Sequence, residues 1–162
     1  MPQEIDVVRI KKDDETQIIL GHAGFIKTVE DLYEAMMNVV PNAKFGIAFS
    51  EASGARLIRS DGNDHALTMH AERILQDLAS GHTFVILFKD AFPINVLNSI
   101  KHVNEVATIY CATANDVEVV LCKTTKGNAI IGIIDGSRPV GVEKPDDKER
   151  RKKLIRDMGY KR

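Results

Sequence analysis

The chain has 162 residues, 44% of them hydrophobic and 28% charged, with a formal net charge of −1. That balance fits one soluble globular domain, residues 1–162, and argues against a domain that tracks nucleic-acid phosphates, which carries a strongly basic face. No apolar run approaches the roughly 18 residues of a membrane span, and Met-Pro-Gln-Glu-Ile-Asp carries no basic region before an apolar block. No membrane partner is therefore expected, and the cytoplasm is the expected compartment.

Ile5–Ile10 and Gln17–Leu20 read as strands joined by the charged turn 11–15, which predicts a hairpin. Thr28 stands where an N-cap belongs, and Val29, Leu32, Tyr33, Met36, Met37 and Val40 follow at helical spacing until Pro41. Phe45–Phe49 and Arg56–Arg59 are predicted strands around Ala52-Ser-Gly54. Asn63 or Asp64 should cap a second helix with the stripe Leu67, Ala71, Ile74, Leu75 and Leu78, and Gly81 is placed to end it.

Thr83–Phe88 is apolar throughout, the pattern of a strand covered on both faces, and Pro93 suits the first turn of a third helix reaching about Val103. Strands are expected over 107–112, 117–122 and 129–134, the last two forming a hairpin, and a final helix after Pro145 has Asp146 and Asp147 in its first turn. About eight strands and four helices thus form a layered α/β (α+β) domain with a mixed sheet. Cys111 and Cys122 lie in separate strands without CxxC spacing, so they read as buried thiols.

The segment Gly21-His-Ala-Gly-Phe-Ile-Lys-Thr28 carries two glycines before Lys-Thr, but Phe25 and Ile26 stand where a phosphate-binding loop needs glycine. Bulky and β-branched side chains disfavour the left-handed backbone of an anion nest. Lys27 remains as a point charge for a phosphate, or as a plain surface lysine, and His22 as a neighbouring polar group or a structural one.

Polar residues gather at predicted strand ends: His22 and Lys27, Glu51 and Ser53, Asp90, Asn115, Asp135 and Gly136. If the strands were parallel, these would converge on one crevice. Asp90-Ala-Phe-Pro-Ile-Asn-Val-Leu-Asn98 is the sharpest signal, an acid ending a strand before a helix on which Asn95 and Asn98 share a face. Asp90 can accept a hydroxyl proton or hold Mg²⁺, and asparagines can read a purine edge; a helix-entry turn and a wet helix surface are the plainer readings.

Gly21 to Ala35, Lys44-Phe-Gly-Ile-Ala-Phe-Ser-Glu-Ala-Ser-Gly54, Asp90 to Asn98, Ile109-Tyr-Cys-Ala-Thr-Ala-Asn115 and Gly132-Ile-Ile-Asp-Gly136 together resemble the archaeal and bacterial adenosine-specific kinase family over nearly the whole chain. The resemblance implies a compact fold distinct from P-loop and Rossmann architectures, binding of adenosine or AMP, phosphorylation of adenosine with ATP and Mg²⁺, and a homo-oligomer built from trimers. On that reading Asp90 and Lys27 do the chemistry. Asn95, Asn98 and Asn115 contact the nucleoside, and Glu51, Ser53, Asp135, Gly136 and His22 line its pocket. A non-catalytic adenosine or AMP sensor, or an assembly protein without a ligand, would share the same sequence features.

Overall fold

The computed structural model describes residues 3–161. In chain order its elements are β1 (Glu4–Ile10), β2 (Gln17–Ala23), α1 (Thr28–Val39), β3 (Lys44–Ser50), β4 (Ile58–Gly62), α2 (His65–Leu78), β5 (Thr83–Lys89), α3 (Pro93–Lys101), β6 (Val106–Thr113), β7 (Val117–Lys123), β8 (Asn128–Asp135) and α4 (Pro145–Asp157). The strands divide into a five-stranded sheet ordered β4-β3-β5-β2-β6 and a three-stranded sheet ordered β1-β7-β8, and every pairing between them is antiparallel.

The central strand, β5, is buried on both faces because each face of the large sheet has its own cover. On one face Ile19, Phe45, Ile47, Phe84, Ile86 and Phe88 pack against α1 and α3 through Leu32, Met36, Val96 and Ile100. On the other, Leu20, Ala48, Val85 and Leu87 meet the predicted stripe of α2 and the inward side chains of the small sheet, Ile10, Val117, Val119 and Leu121. Gly46 permits α2 to lie this close: a Cβ there would stand 2.2 Å from the Thr68 backbone nitrogen.

Several local expectations change. β1 and β2 form no hairpin: β1 pairs with β7, over a hundred residues away, while β2 joins the large sheet between β5 and β6. Thr28 does not cap α1 by accepting from within the helix. Its buried hydroxyl turns back, donating to the Phe25 carbonyl at 2.7 Å and accepting from the Phe25 N–H at 3.2 Å, so it closes the 24–27 loop. Asp64 does cap α2, accepting from Leu67 N–H, but the left-handed residue that ends the helix is Ala79 (φ 47°), not Gly81. β4 starts at Ile58 rather than Arg56, because Arg56 is itself left-handed (φ 55°) in the preceding turn. Cys122 is half-buried rather than buried, while Cys111 is buried as expected. No helix among the described residues is long and apolar enough to cross a membrane.

Candidate functional site

Antiparallel pairing decides where the predicted site residues go. Since β2 and β3 both oppose β5, the sheet gathers the carboxyl ends of β2 and β3 with the amino ends of β4, β5 and β6 at one edge, here the cleft edge. The carboxyl ends of β5 and β6 lie at the far edge, six residue steps along β5, or about 20 Å away.

His22, Lys27, Glu51 and Ser53 come to the cleft edge; Asp90, Asn115, Asp135 and Gly136 go to the far edge. Asn95 and Asn98 sit on α3, which starts at the far edge and leads back toward the cleft edge. Lys27 and Asp90 of one chain are therefore not neighbours. The crevice expected at parallel strand ends does not exist because the neighbouring strands run in opposite directions.

At the far edge the polar groups satisfy one another. Asp135 Oδ1 accepts from the buried Thr113 hydroxyl and from Asn115 Nδ2, each at 2.9 Å. Gly136, left-handed at φ 66°, sits so close that an added Cβ would lie 3.1 Å from Asn115 Nδ2. Asn95 Oδ1 accepts from Phe92 N–H at 2.8 Å, a helix-entry cap. Asp90 is exposed and left-handed (φ 63°), the conformation that turns β5 into α3. Asparagine and aspartate tolerate that region better than other non-glycine residues.

The cleft edge holds an open hollow of about 420 Å³ between the 24–27 loop and the β3–β4 connection, lined by Phe25, Phe49, Glu51, Ser53, Arg59 and His82 among others. That size is suited to a small organic ligand. One wall is aromatic, with the rings of Phe49 and His82 stacked at 5.8 Å and His22 5.9 Å beyond His82. His82 is left-handed (φ 55°); its N–H donates to Ser50 and its carbonyl accepts from Ala23 N–H, which locks it between β2 and β3. Burial, then the neighbouring His82, lowers the His22 pKa, so His22 favours its neutral form.

Arg59 ties the cleft together. Its guanidinium donates to Glu51 Oε1 at 2.7 Å and to the Ile26 carbonyl at 2.5 Å, joining the two loops that form the walls. Glu51 Oε2 accepts from Leu57 N–H, and that backbone bond, followed by Arg59, lowers its pKa.

Beside the cleft, Lys27 pairs with Asp31 at 2.8 Å. Asp31 in turn faces Glu105, whose two carboxylate oxygens are buried without a hydrogen-bond donor. Burial raises the Glu105 pKa, whereas the hydrogen bond from Lys27 lowers that of Asp31. The sequence reading missed Arg59, His82 and Glu105. His82 carried a usable signal, a histidine between a glycine and an apolar strand; Arg59 and Glu105 carried none.

Among the described residues, no group of three or more metal-ligating side chains occurs. Among the described residues, Glu51 is the one carboxylate lining this cleft, and both its oxygens are engaged. A magnesium ion fits here only as one delivered on a nucleotide's phosphates, which is how Mg²⁺ commonly binds.

A family model described as "Adenosine specific kinase" matches residues 8–161. The chain belongs to the adenosine specific kinase family. The crystal structure of PH1918 protein from Pyrococcus horikoshii OT3 superposes with a TM-score of 0.94 at 40% identity, covering 99% of each chain. A search of curated proteins gave no match. Membership suggests an adenosine kinase-like function for this family member, with the cleft edge as its geometric candidate.

Proposed function

We propose that the cleft bounded by Arg59, Glu51, His82 and Phe25 binds adenosine or AMP and that the protein transfers a phosphoryl group from ATP to adenosine. The observation that carries this reading is a small-molecule hollow with an aromatic wall and a clamped arginine, in a chain whose family is described as adenosine specific kinase. In the transfer, the 5′-hydroxyl oxygen of adenosine bonds to the γ-phosphorus of ATP. The bond from that phosphorus to the β–γ bridging oxygen breaks, ADP leaves, and the hydroxyl proton passes to a base.

Within one chain His82 is the cleft residue suited to take that proton. Asp90, proposed for the same role from sequence, can enter only from another copy of the chain, and Asn98, Asn115, Asp135 and Gly136 act on the ligand only on the same condition. Lys27 supplies phosphate charge if ligand binding draws it from Asp31. Mg²⁺ offsets the phosphate charge when it arrives with ATP.

A trimer-based homo-oligomer is part of the proposal. It is supported by surfaces that one copy leaves bare: α4 buries none of its residues, Val140 and Val142 before it are fully exposed, and Ile5, Val7, Ile131 and Ile134 are exposed on the small sheet. An isolated 13-residue helix is marginal in water, so α4 calls for a partner.

Single-turnover incubation of excess enzyme with labelled ATP, Mg²⁺ and adenosine should yield labelled AMP. The second reading, a non-catalytic adenosine or AMP sensor, is favoured by the lack of an uncommitted carboxylate in the cleft. Clear calorimetric binding with no AMP formed would select it. Asp90→Asn should abolish transfer if the trans arrangement holds, with adenosine affinity within about tenfold; wild-type rates would remove Asp90 and leave His82.

A further inference from the structure

A second hollow, of about 470 Å³, opens at the same edge on the other face of the sheet, between the end of α2 and the β7–β8 turn. Its lining includes Arg56, Lys126, Ser50, Ser80 and Asn128, and it shares Glu51 and Ala52 with the first cleft. The sharing arises because the 51–57 connection stands on the rim of the sheet and presents one side to each hollow.

Charge in this second hollow is arranged differently. Arg59 is spent on Glu51 and Ile26, and Lys27 on Asp31, whereas Arg56 and Lys126 have no ion-pair partner among the described residues. Arg56 holds a left-handed conformation (φ 55°), a strain that non-glycine residues seldom bear outside places where the surroundings enforce it. Its N–H donates to the Ser53 carbonyl, which fixes it in the turn.

The feature that would oppose an anion is the carboxyl end of α2, where carbonyls carry the negative end of the helix dipole. Here two of those carbonyls are taken: Asn128 Nδ2 donates to Leu78 O at 2.9 Å and Asn128 N–H to Ala79 O at 3.1 Å. Glu51 on the shared wall is already neutralised by Arg59. What remains facing the solvent-filled space is two uncompensated cations and the hydroxyl-bearing Ser50 and Ser80.

We infer that this second hollow is a polyphosphate site, with Arg56 and Lys126 as its anion-binding groups, which holds the phosphate chain of the nucleoside triphosphate donor while the nucleoside occupies the first cleft. The assignment of the donor rests on the function proposed above; the anion-binding chemistry of the hollow does not. Both ligands would then reach the one strip of backbone, 51–52, that the hollows have in common.

The test is calorimetry on the full chain with three probes: adenosine, a non-hydrolysable ATP analogue with Mg²⁺, and inorganic tripolyphosphate. In the wild type, saturating adenosine should leave the analogue binding with one site per chain and its affinity changed by less than fivefold. The double variant Arg56→Ala/Lys126→Ala should weaken the analogue and tripolyphosphate at least tenfold and leave adenosine within twofold. Its melting temperature should match the wild type, since neither side chain has a partner to lose. Full displacement of the analogue by adenosine, or unchanged analogue and tripolyphosphate binding in the variant, overturns the inference. Tripolyphosphate binding that depends on Arg56 and Lys126 without any adenosine binding would sink the nucleoside reading alone.

Discussion

The two ends of the large sheet are both rich in polar residues, yet they use them in opposite ways. At the far edge, Asp135, Thr113 and Asn115 complete one another's hydrogen bonds, and Asn95 caps the entry to α3. At the cleft edge, two histidines share an aromatic wall, two arginines line hollows, and His82 and Arg56 hold left-handed backbone. A polar cluster that satisfies itself is architecture, whereas one held in place with capacity to spare is available to a ligand.

The sharpest way to break this contrast is Arg59→Met. It should weaken AMP at least tenfold by calorimetry, because both cleft walls lose their tie; unchanged affinity would show that the clamp is ornamental to binding. Asp135→Ala, its counterpart at the far edge, should cost about 1 kcal/mol in denaturant unfolding by orphaning the Thr113 hydroxyl, with adenosine affinity unaffected. A loss of ligand there with stability intact would reverse the roles of the edges. Lys27→Ala should weaken AMP about threefold more than adenosine, and equal effects would remove its phosphate role.

Acid–base behaviour separates the edges by sign. Hydrogen bonding to Lys89 and then Thr16 draws the Asp13 pKa down to about 2, so its contribution is present above 3.8 and lost as pH falls through about 2. Asp13→Asn should therefore be less stable than wild type at neutral pH, with the gap closing toward pH 2. Glu105 is shifted the other way by burial: its contribution is present below 4.5 and lost as pH rises through the raised pKa. Glu105→Gln, which removes the titrating group, should flatten that loss, and a parallel pH–stability curve for the variant would refute the role of burial at Glu105.

Sequence periodicity located what depends on neighbours along the chain. The α2 stripe, the doubly covered β5, the Pro93 helix start and the β7–β8 hairpin all stand where spacing put them. Strand pairing and direction were not legible, since β1 pairs with β7 only after all five strands of the large sheet have intervened along the chain, and nothing local to Ile5–Ile10 states that choice. The site expected from sequence inherits this gap. Reading every strand's carboxyl end as one crevice joined Asp90 to Lys27, and antiparallel order parts them. Arg59 escaped notice because a single arginine in a strand has no spacing to mark it.

The strip at Glu51 and Ala52 faces a hollow on either side, so a guest on one side changes the free energy available to a guest on the other. Reciprocity then requires the same factor in both directions. If the donor stiffens the 51–57 connection for adenosine, adenosine tightens the donor by the same factor, which stays below the fivefold bound set for independent loading of the two hollows.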